Sequence, residues 1–378
     1  MIYTLRHFDT PLVRFSAEQG AEASIRILWF DENHRELLPL DFHRQVDAER
    51  LEAWLRHRTI PRNRAYVDVI LASQGLSPNR PMDVIRLSKG LSLNDCHWVT
   101  EEGFDGTFAQ FNQYDNKFSR VLGEIAFTGF GSDNSSRISS SPEFTTNGML
   151  PKCWRRQNGA VRLYKGGTEG ASNTGNEPYS ECYASQIAET LGFNAVSYSL
   201  ARWKGRLCSV CDMFTSKDVS FIPVGRLVTK GGMTAVRTYC ETLGGQFVDA
   251  LNEMLVFDAV ICNTDRHFGN FGFLVDSHAN RIIAPAPLFD HGNSLFSLAP
   301  LDVFESLGAM RKYVRTLLPR VYDNFIDEAR SVITHAQQNA LRKLLDFKFK
   351  RNPRYNWEAR RLAMVERMVS ERVMELLD

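Results

Sequence analysis

The sequence has almost no excess of charge of either sign. Its 378 residues include 45 Lys and Arg against 44 Asp and Glu, which gives a formal net charge of +1. A protein that binds nucleic acid across its surface normally carries a large positive excess, and a solvating acidic tail carries a negative one. The balance argues against both classes. The apolar content of 43% is that of a folded globular protein rather than a disordered one.

Long apolar runs are equally scarce. The first nine residues contain no apolar run of the length found in signal peptides. The most apolar segment, residues 254–262, is short and contains Asp258, so no segment is long enough to span a bilayer. We therefore expect a cytoplasmic protein with no membrane partner.

Paired metal-binding cysteines are also lacking. Seven cysteines occur without regular spacing, and Cys208 and Cys211 have neither a second C-x-x-C pair nor a nearby pair of histidines. This spacing does not favour zinc, and thiols in a reducing compartment are the preferred interpretation.

The sequence does contain one segment typical of a linker or loop, at residues 129–148, which is rich in Ser, Gly and Asn. We place a domain boundary there, after an N-terminal accessory α/β subdomain over residues 1–130. The rest is divided into a small segment over 131–215 and a mainly helical one over 216–378.

Residues 46–75 predict two short helices separated by a turn that contains Pro61. A helix-turn-helix is one interpretation, since four nearby arginines could supply charge for DNA: Arg56, Arg58, Arg62 and Arg64. A small packing subdomain with solvated arginines is the preferred alternative, because a wider basic surface is missing.

The most informative segment is N-T-D-R-H-F-G-N at residues 263–270. It follows a predicted buried helix at 247–262 and precedes a predicted hairpin that runs from 271 to 289. An antiparallel hairpin returns the chain to its starting point, so Asp290 is expected to lie near Asn270. Asp265 lies on the loop that leads in. Two carboxylates and one carboxamide should therefore converge.

These side chains suit phosphoryl transfer. Mg²⁺ prefers one or two carboxylates together with phosphate oxygens. A further carboxylate that stands off the metal can orient a hydroxyl and accept its proton. A catalytic Asp, a metal-binding Asn, a hairpin and a second Asp follow one another in this order in protein-kinase-like enzymes. Each residue alone could simply make a turn or cap a helix; the joint pattern favours the enzyme.

Two upstream residues extend this pattern. Lys165 shares one face of an alternating strand with Val161 and Leu163. Glu181 is predicted to open a helix that ends at Gly192. A helix glutamate that pairs with a strand lysine would hold that lysine on nucleotide phosphates. Taken singly, a surface lysine and a favourable first-turn acid are the simpler interpretations.

The motif at 263–270, together with L-F-D at 288–290, resembles the HipA-type serine/threonine kinases of bacteria. So does the loop T-x-x-G-x-x-x-K at 145–152, which precedes Lys165. The resemblance covers about residues 140–350. It implies an α+β, bilobal protein-kinase-like fold with a small mixed α/β N-lobe over 131–215 and a mainly helical C-lobe over 216–378.

The resemblance also implies roles for the residues of the 263–270 loop and its neighbour. Asp265 would be the general base, and Asn270 and Asp290 would hold Mg²⁺. His267 would brace the catalytic loop.

Other residues would bind ATP. Lys165 would contact its phosphates with Glu181 as partner. Backbone groups of Asp212 and Phe214, on a strand that leaves the small lobe, would hold the adenine.

The loop at 145–152 would cover the phosphates, with Gly148 and Lys152 as nucleotide-binding residues. In this family a serine or threonine at the start of the loop can be autophosphorylated, which ejects the loop and inactivates the enzyme. Thr145 matches that position, and Thr146 is adjacent.

Several members of the family are toxins of toxin–antitoxin systems. They phosphorylate aminoacyl-tRNA synthetases and are neutralised by a small DNA-binding partner, so the resemblance implies partners of these kinds.

The leading hypothesis is an ATP- and Mg²⁺-dependent serine/threonine protein kinase. A lipid or small-molecule kinase stays open, because nothing in the sequence identifies the acceptor. A non-catalytic DNA-binding regulator built on residues 46–75 is the third hypothesis, against which the near-zero net charge argues.

Overall fold

The computed structural model describes residues 1–18, 24–131, 141–170 and 173–378. These residues form a mixed α/β structure with several small sheets. The strands are β1 Ile2–His7, β2 Thr10–Ala17, β3 Ile25–Phe30, β4 His97–Glu101, β5 Lys152–Gln157, β6 Ala160–Gly166, β7 Ser199–Trp203, β8 Arg206–Asp212, β9 Val219–Pro223, β10 Gly272–Asp276 and β11 Arg281–Pro285. Residues 132–140, in the middle of the predicted linker, lie outside the described residues.

The helices alternate with these strands in the first half of the chain and dominate the second half. They are α1 Ala48–Arg56, α2 Val67–Ala72, α3 Pro81–Ser88, α4 Phe108–Phe111, α5 Arg120–Thr128, α6 Glu177–Leu191, α7 Val224–Leu227, α8 Gly232–Leu243, α9 Gly245–Ile261, α10 Leu307–Val314, α11 Phe325–Val332, α12 His335–Leu341 and α13 Ala359–Leu377. Among the described helices, none is both long enough and apolar enough to cross a membrane.

The chain forms two compact units. The first comprises residues 1–165, 213–222 and 274–283, and the second comprises the remaining segments, 166–212, 223–273 and 284–378. The division into residues 1–130, 131–215 and 216–378 stays a prediction.

A four-stranded antiparallel sheet in the order β3-β2-β1-β4 organises the start of the first unit. Side chains of β1 alternate strictly between partly exposed and buried positions, as expected for a strand with one face on a core. Tyr3, Leu5 and Phe15 from this sheet pack with Trp54 of α1 in one apolar cluster.

The two helices predicted within residues 46–75 are present as α1 and α2, but their arginines do not form one exposed basic face. Arg58 is buried, forms an ion pair with Asp95 and stacks 4.2 Å from the centre of the Trp54 ring. Arg64 is buried in an ion pair with Glu143. Two of the four arginines proposed for DNA are therefore structural, since long charged side chains can also serve as buried clamps when a carboxylate is in reach.

Strands β5 and β6 form an antiparallel hairpin around the turn Asn158-Gly159. Both turn residues have left-handed φ angles, of 50° and 80°, which two-residue hairpin turns require and which Asn and Gly tolerate best. The register places Lys152 directly opposite Lys165. Opposed residues of an antiparallel pair point to the same face, so both lysine side chains leave the hairpin on one face.

In the second unit, helix α6 begins at Glu177, four residues earlier than the sequence pattern suggested. Pro178 lies in the first turn, where proline needs no hydrogen-bond partner for its nitrogen. The prediction that Glu181 opens the helix is therefore wrong, and Glu181 lies in the second turn with its side chain fully buried. The predicted end is confirmed, because Gly192 caps the helix with a left-handed φ of 77°.

Helix α9 confirms the predicted buried helix and delivers the chain to the candidate site. Its last eight residues, 254–261, are all buried, as expected for a helix that is apolar on every side. The helix ends at Ile261 and is capped by Cys262, whose left-handed φ of 50° turns the chain away. The predicted hairpin strands after the 263–270 segment are present as β10 and β11.

His7, at the end of β1, makes the stability of the first unit depend on pH. Burial, assisted by the neighbouring His97 and opposed by Asp95, lowers the pKa of His7 to about 3. An unfolded histidine has a pKa near 6.5, so the folded chain binds fewer protons between these values and loses stability as the pH falls through this window. Compared with His7→Gln, the wild type should lose about 2 kcal/mol more of its unfolding free energy between pH 7 and pH 5. Urea titrations at both pH values measure this; an equal loss in the two proteins would contradict it.

Candidate active site

The loop after α9 positions Asp265 through its neighbour Asn263. The Asn263 side chain is buried and donates from Nδ2 to Asp258 Oδ1 at 3.3 Å. Its Oδ1 accepts the backbone N–H of Asp265 at 3.1 Å. The backbone of Asp265 is thus fastened to the end of α9, which is the most buried part of this unit.

The carboxylate of Asp265 remains partly open to solvent, with 26% of the side chain exposed. Its Oδ2 accepts from Asn293 Nδ2 at 3.3 Å, and its Oδ1 forms an ion pair with Arg320. The Thr264 N–H also donates to the carbonyl of Asn293, at 3.1 Å. The candidate base is therefore oriented from two loops while a carboxylate edge stays accessible to an acceptor.

Asn270 and Asp290 are brought to the same place as Asp265. Asn270 donates from Nδ2 to the carbonyl oxygen of Asp265 at 3.1 Å, which leaves its Oδ1 as a potential ligand atom. Asp290 has a left-handed φ of 60°, and its N–H donates to the hydroxyl of Tyr198 at 3.2 Å. A non-glycine residue held in this conformation is uncommon and is often found at functional sites.

Arg266 joins these segments and is the residue that sequence reasoning missed. Its Nη1 donates both to the Asn270 carbonyl at 2.9 Å and to the Phe289 carbonyl at 2.7 Å. One guanidinium thus holds together Asn270, two residues before β10, and Phe289, the residue before Asp290. This confirms the expected return of the chain to its starting point.

The same arginine is anchored at its other edge by Asp258. Nε and Nη2 bind the two carboxylate oxygens at 2.9 and 3.0 Å, and both side chains are fully buried. Burial alone would lower the pKa of Arg266, but the charge and hydrogen bonds of Asp258, with smaller contributions from Asp290 and Tyr322, together raise that pKa. The signal that could have found this pair was Asp258 itself, the single acid in an otherwise apolar segment, because buried carboxylates need a partner.

His267 makes hydrogen bonds within its own loop. Its ring Nδ1 accepts the backbone N–H of Gly269 at 3.0 Å. The backbone N–H of His267 donates to the Asp265 carbonyl at 2.9 Å. Burial lowers the pKa of the ring, which favours the neutral form that can accept at Nδ1.

Helix α6 supports the segment that follows Asp290. Glu181 Oε2 accepts the N–H of His291 at 2.8 Å. Ser180 Oγ lies 2.7 Å from the His291 carbonyl and 2.8 Å from that of Ser294. One turn earlier, Glu177 is also buried and accepts from the Thr168 hydroxyl at 2.7 Å. The two glutamates therefore hold the two loops that follow Asp290 and Lys165 in the sequence.

In the first unit, Lys152 and Lys165 are both buried, at 5% and 7% exposure, and lie opposite each other in the β5–β6 hairpin. Like charges directly opposed in a sheet are destabilising. The presence of two lysines on the shared face of the hairpin makes that face a candidate phosphate-binding surface, because lysine ammonium groups commonly bind phosphates. Lys152 Nζ also donates to the Asn147 carbonyl at 2.9 Å, within the predicted phosphate-covering loop.

The two candidate phosphorylation sites start that loop. Thr145 is buried, and its hydroxyl donates to the Leu91 carbonyl at 2.8 Å. The Thr146 hydroxyl donates to the Pro142 carbonyl at 2.7 Å and accepts from Trp154 Nε1 at 3.1 Å. Phosphorylation of either residue would require the start of the loop to open.

The two residues predicted to hold adenine lie where the chain passes from one unit to the other. Asp212 is the exposed last residue of β8, and the first unit resumes at residue 213. Met213 N–H donates to the Val161 carbonyl at 3.0 Å. Phe214 packs edge-on against Phe221, with ring centres 5.5 Å apart. The assignment of their backbone groups to adenine stays a prediction.

The donor atoms of this loop cluster fit Mg²⁺. Within the described ranges no three His, Cys, Asp or Glu side chains come together as a ready-made metal site. Mg²⁺ in nucleotide-dependent enzymes needs fewer protein ligands, because water and phosphate oxygens complete its shell. The carboxylate of Asp290 and the carboxamide oxygen of Asn270 are hard oxygen donors of this kind.

Arg320 is expected to have only a small effect on activity. Its side chain is 53% exposed, and exposed ion pairs contribute roughly 0–1 kcal/mol. Since the pair occupies one oxygen of Asp265, Arg320→Ala should raise kcat/KM by at most about fivefold. Steady-state kinetics beside Arg320→Lys measures the change. A loss of more than about tenfold in the alanine variant alone would assign Arg320 a direct part in the reaction.

Solved structures of other proteins share the fold of this chain. No protein-family model and no curated protein sequence matches the chain. Among solved structures, it is similar over 100% of its length to HipA from a Shewanella oneidensis MR-1 toxin–antitoxin complex with HipB and operator DNA. That match has a TM-score of 0.53 and 13% identity, and covers 99% of the HipA chain.

It is also similar to the Helicobacter pylori proinflammatory kinase CtkA. That match has a TM-score of 0.51 and 17% identity, and covers 62% of this chain and 90% of CtkA. At these identities the likeness concerns the fold. The resemblance to HipA-type kinases is thereby confirmed at that level.

Proposed function

We propose that this protein is an ATP- and Mg²⁺-dependent serine/threonine protein kinase. The observation that carries the proposal is the convergence of Asp265, Asn270 and the Asp290 segment around the buried guanidinium of Arg266. A base, a carboxamide and a second carboxylate in this order are what phosphoryl transfer requires. The kinase-like fold of the two solved neighbours supports the same reaction class.

In the proposed mechanism the main role of the protein is to position the acceptor hydroxyl, Mg²⁺ and the phosphates of ATP. Asp265 orients the acceptor hydroxyl and takes its proton as the hydroxyl oxygen bonds to the γ-phosphorus of ATP, while the bond from that phosphorus to the leaving oxygen of ADP breaks. Asn270 and Asp290 would hold Mg²⁺, and the ion would neutralise negative charge on the phosphates. Lys165 and Lys152 bind the phosphates of ATP from the shared face of their hairpin.

The finer assignments follow from the same resemblance. We assign residues 131–215 to a nucleotide-binding lobe and 216–378 to a catalytic lobe of a bilobal kinase. Glu181 is assigned as the partner of Lys165, Gly148 as part of the phosphate-covering loop, and backbone groups of Asp212 and Phe214 as the adenine contacts.

Regulation and partners are proposed on the same grounds. Thr145, with Thr146 beside it, is the candidate autophosphorylation site, and a Thr145→Ala variant that incorporates phosphate at an unchanged rate and site would refute that. The HipA neighbour was solved with HipB and operator DNA, and we propose that this chain has a small DNA-binding antitoxin-like partner. A translation component such as an aminoacyl-tRNA synthetase is the proposed substrate.

The acceptor class can be tested by fractionation. The protein is incubated with γ-labelled ATP, Mg²⁺ and cell lysate, and the products are separated into protein, lipid and small-molecule fractions. Label on phosphoserine or phosphothreonine in the protein fraction is expected. Label confined to lipid or small molecules would replace the protein kinase with another kinase class, and Asp290→Asn controls for contaminating enzymes.

A further inference from the structure

The buried side chain of Arg64 binds the predicted phosphate-covering loop at several points. That side chain is fully buried, and its guanidinium makes four hydrogen bonds to the segment 143–152. Nη2 donates to Glu143 Oε2 at 2.8 Å and to the Lys152 carbonyl at 2.9 Å. Nη1 donates to the Glu143 carbonyl at 2.6 Å and to the Thr146 carbonyl at 3.1 Å. One side chain therefore fixes the start, the middle and the end of the loop.

Two further hydrogen bonds hold the same segment. We call Arg64, Glu143 and the backbone groups that they bind the Arg64 frame. Glu143 Oε1 accepts the N–H of Trp154 at 3.0 Å, so both oxygens of this carboxylate are used. The backbone N–H of Ala65, next to Arg64, donates to the Met149 carbonyl at 2.7 Å. Burial raises the pKa of Glu143, and the Arg64 charge opposes this. The frame therefore depends on the charge of Arg64 as well as on its shape.

The tip of the loop is left exposed above this frame. Asn147, Gly148 and Met149 are exposed, whereas Lys152 beneath them is buried. Gly148 has a left-handed φ of 92°, and a Cβ atom there would collide with the Lys152 ammonium. The left-handed conformation favours glycine at the tip, where the backbone lies close to the Lys152 ammonium, and Arg64 holds the chain on both sides of the tip.

We propose that Arg64 is a positioning residue for ATP binding, and that the N-terminal segment of the first unit acts in catalysis by setting the phosphate-covering loop. This rests on the proposed kinase function. Arg64 is far from the 263–290 segments in sequence and lies outside residues 140–350, to which the motif resemblance is limited. A planar guanidinium fork can satisfy four acceptors in fixed directions, which an ammonium group cannot.

The test compares Arg64→Lys and Glu143→Gln with Arg58→Lys. Arg58 is a matched control because it is also buried in an ion pair in the same unit, with Asp95, and makes no recorded contact with residues 143–152. Misplacing a positioning loop by about 1 Å can cost about a hundredfold. We therefore expect KM for ATP to rise about tenfold to a hundredfold in the two loop variants, with kcat at saturating ATP within about threefold of wild type.

A second readout does not depend on catalysis. Without nucleotide, amide hydrogen exchange in residues 145–151 should accelerate at least about tenfold in Arg64→Lys and remain at the wild-type rate in Arg58→Lys. Wild-type exchange and wild-type KM in Arg64→Lys would overturn the proposal, and so would an equal change in Arg58→Lys. If the wild type transfers no phosphate, the kinase function fails, while the exchange result still decides whether Arg64 holds the loop.

Discussion

Asp265→Asn is expected to lower kcat by a factor of about 10² to 10⁴, the usual contribution of a positioned general base. The carboxamide keeps the shape of the side chain, so the contact with Asn293 Nδ2 can be retained through its oxygen. Its nitrogen, however, cannot accept a proton from the acceptor hydroxyl. The base is partly exposed, and none of its contacts forms part of a buried core, so folding should be preserved.

The control for this variant is a second carboxylate on the same stretch of chain. Asp249→Asn replaces an exposed acid on α9 and should leave kcat unchanged. ATP-induced thermal stabilisation should persist in both variants, because Asp265 is assigned to the acceptor hydroxyl rather than to the nucleotide. A kcat within about tenfold of wild type in Asp265→Asn would mean that another group takes the proton.

Arg266→Met is expected to destabilise the second unit by about 3–5 kcal/mol. The variant leaves the Asp258 carboxylate fully buried without its ion-pair partner, and an uncompensated buried charge is one of the few single changes with so large an effect. The carbonyls of Asn270 and Phe289 lose their shared donor at the same time. Urea titration measures the free energy of unfolding, and a change below about 1 kcal/mol would contradict the assigned role.

Stability and positioning can be separated with a double variant. In Asp258→Leu/Arg266→Met both charges are removed, and buried ion pairs replaced by apolar residues often recover stability. Most of the lost unfolding free energy should therefore return. Phosphate transfer should stay low, because no apolar side chain can hold the two carbonyls together. Full recovery of activity with stability would show that Arg266 serves the fold alone.

Local features of the fold were predictable from neighbouring residues. The Asn158-Gly159 turn, the apolar helix that ends before residue 263 and the Gly192 cap each follow from short-range chemistry. The approach of the Asp290 segment to Asn270 was also predictable, because a hairpin returns the chain to its origin. The start of α6 was missed because Pro178 is a signal for the first turn of a helix rather than for a break.

The hydrogen-bond networks of Arg64 and Arg266 were not predictable, since they join charged residues to partners that are distant in sequence. Arg64 and Glu143 lie 79 residues apart, and an arginine in a helical segment is usually solvated. Arg266 finds its partners at residues 258, 270 and 289 only after helix, loop and hairpin have formed. Whether such a charge is exposed or buried is decided by tertiary packing, which residue spacing does not report.

The central claim is that Asp265, Asn270 and Asp290 form a phosphoryl-transfer site. The most direct test is the rate at which γ-labelled phosphate passes from ATP to protein in the presence of Mg²⁺, measured for wild type, Asp265→Asn and Asp290→Asn side by side. We predict transfer by the wild type and a rate at least about a hundredfold lower in each variant, with all three proteins folded. Equal rates in the three proteins, or no transfer by folded wild type to any cellular fraction, would contradict the claim.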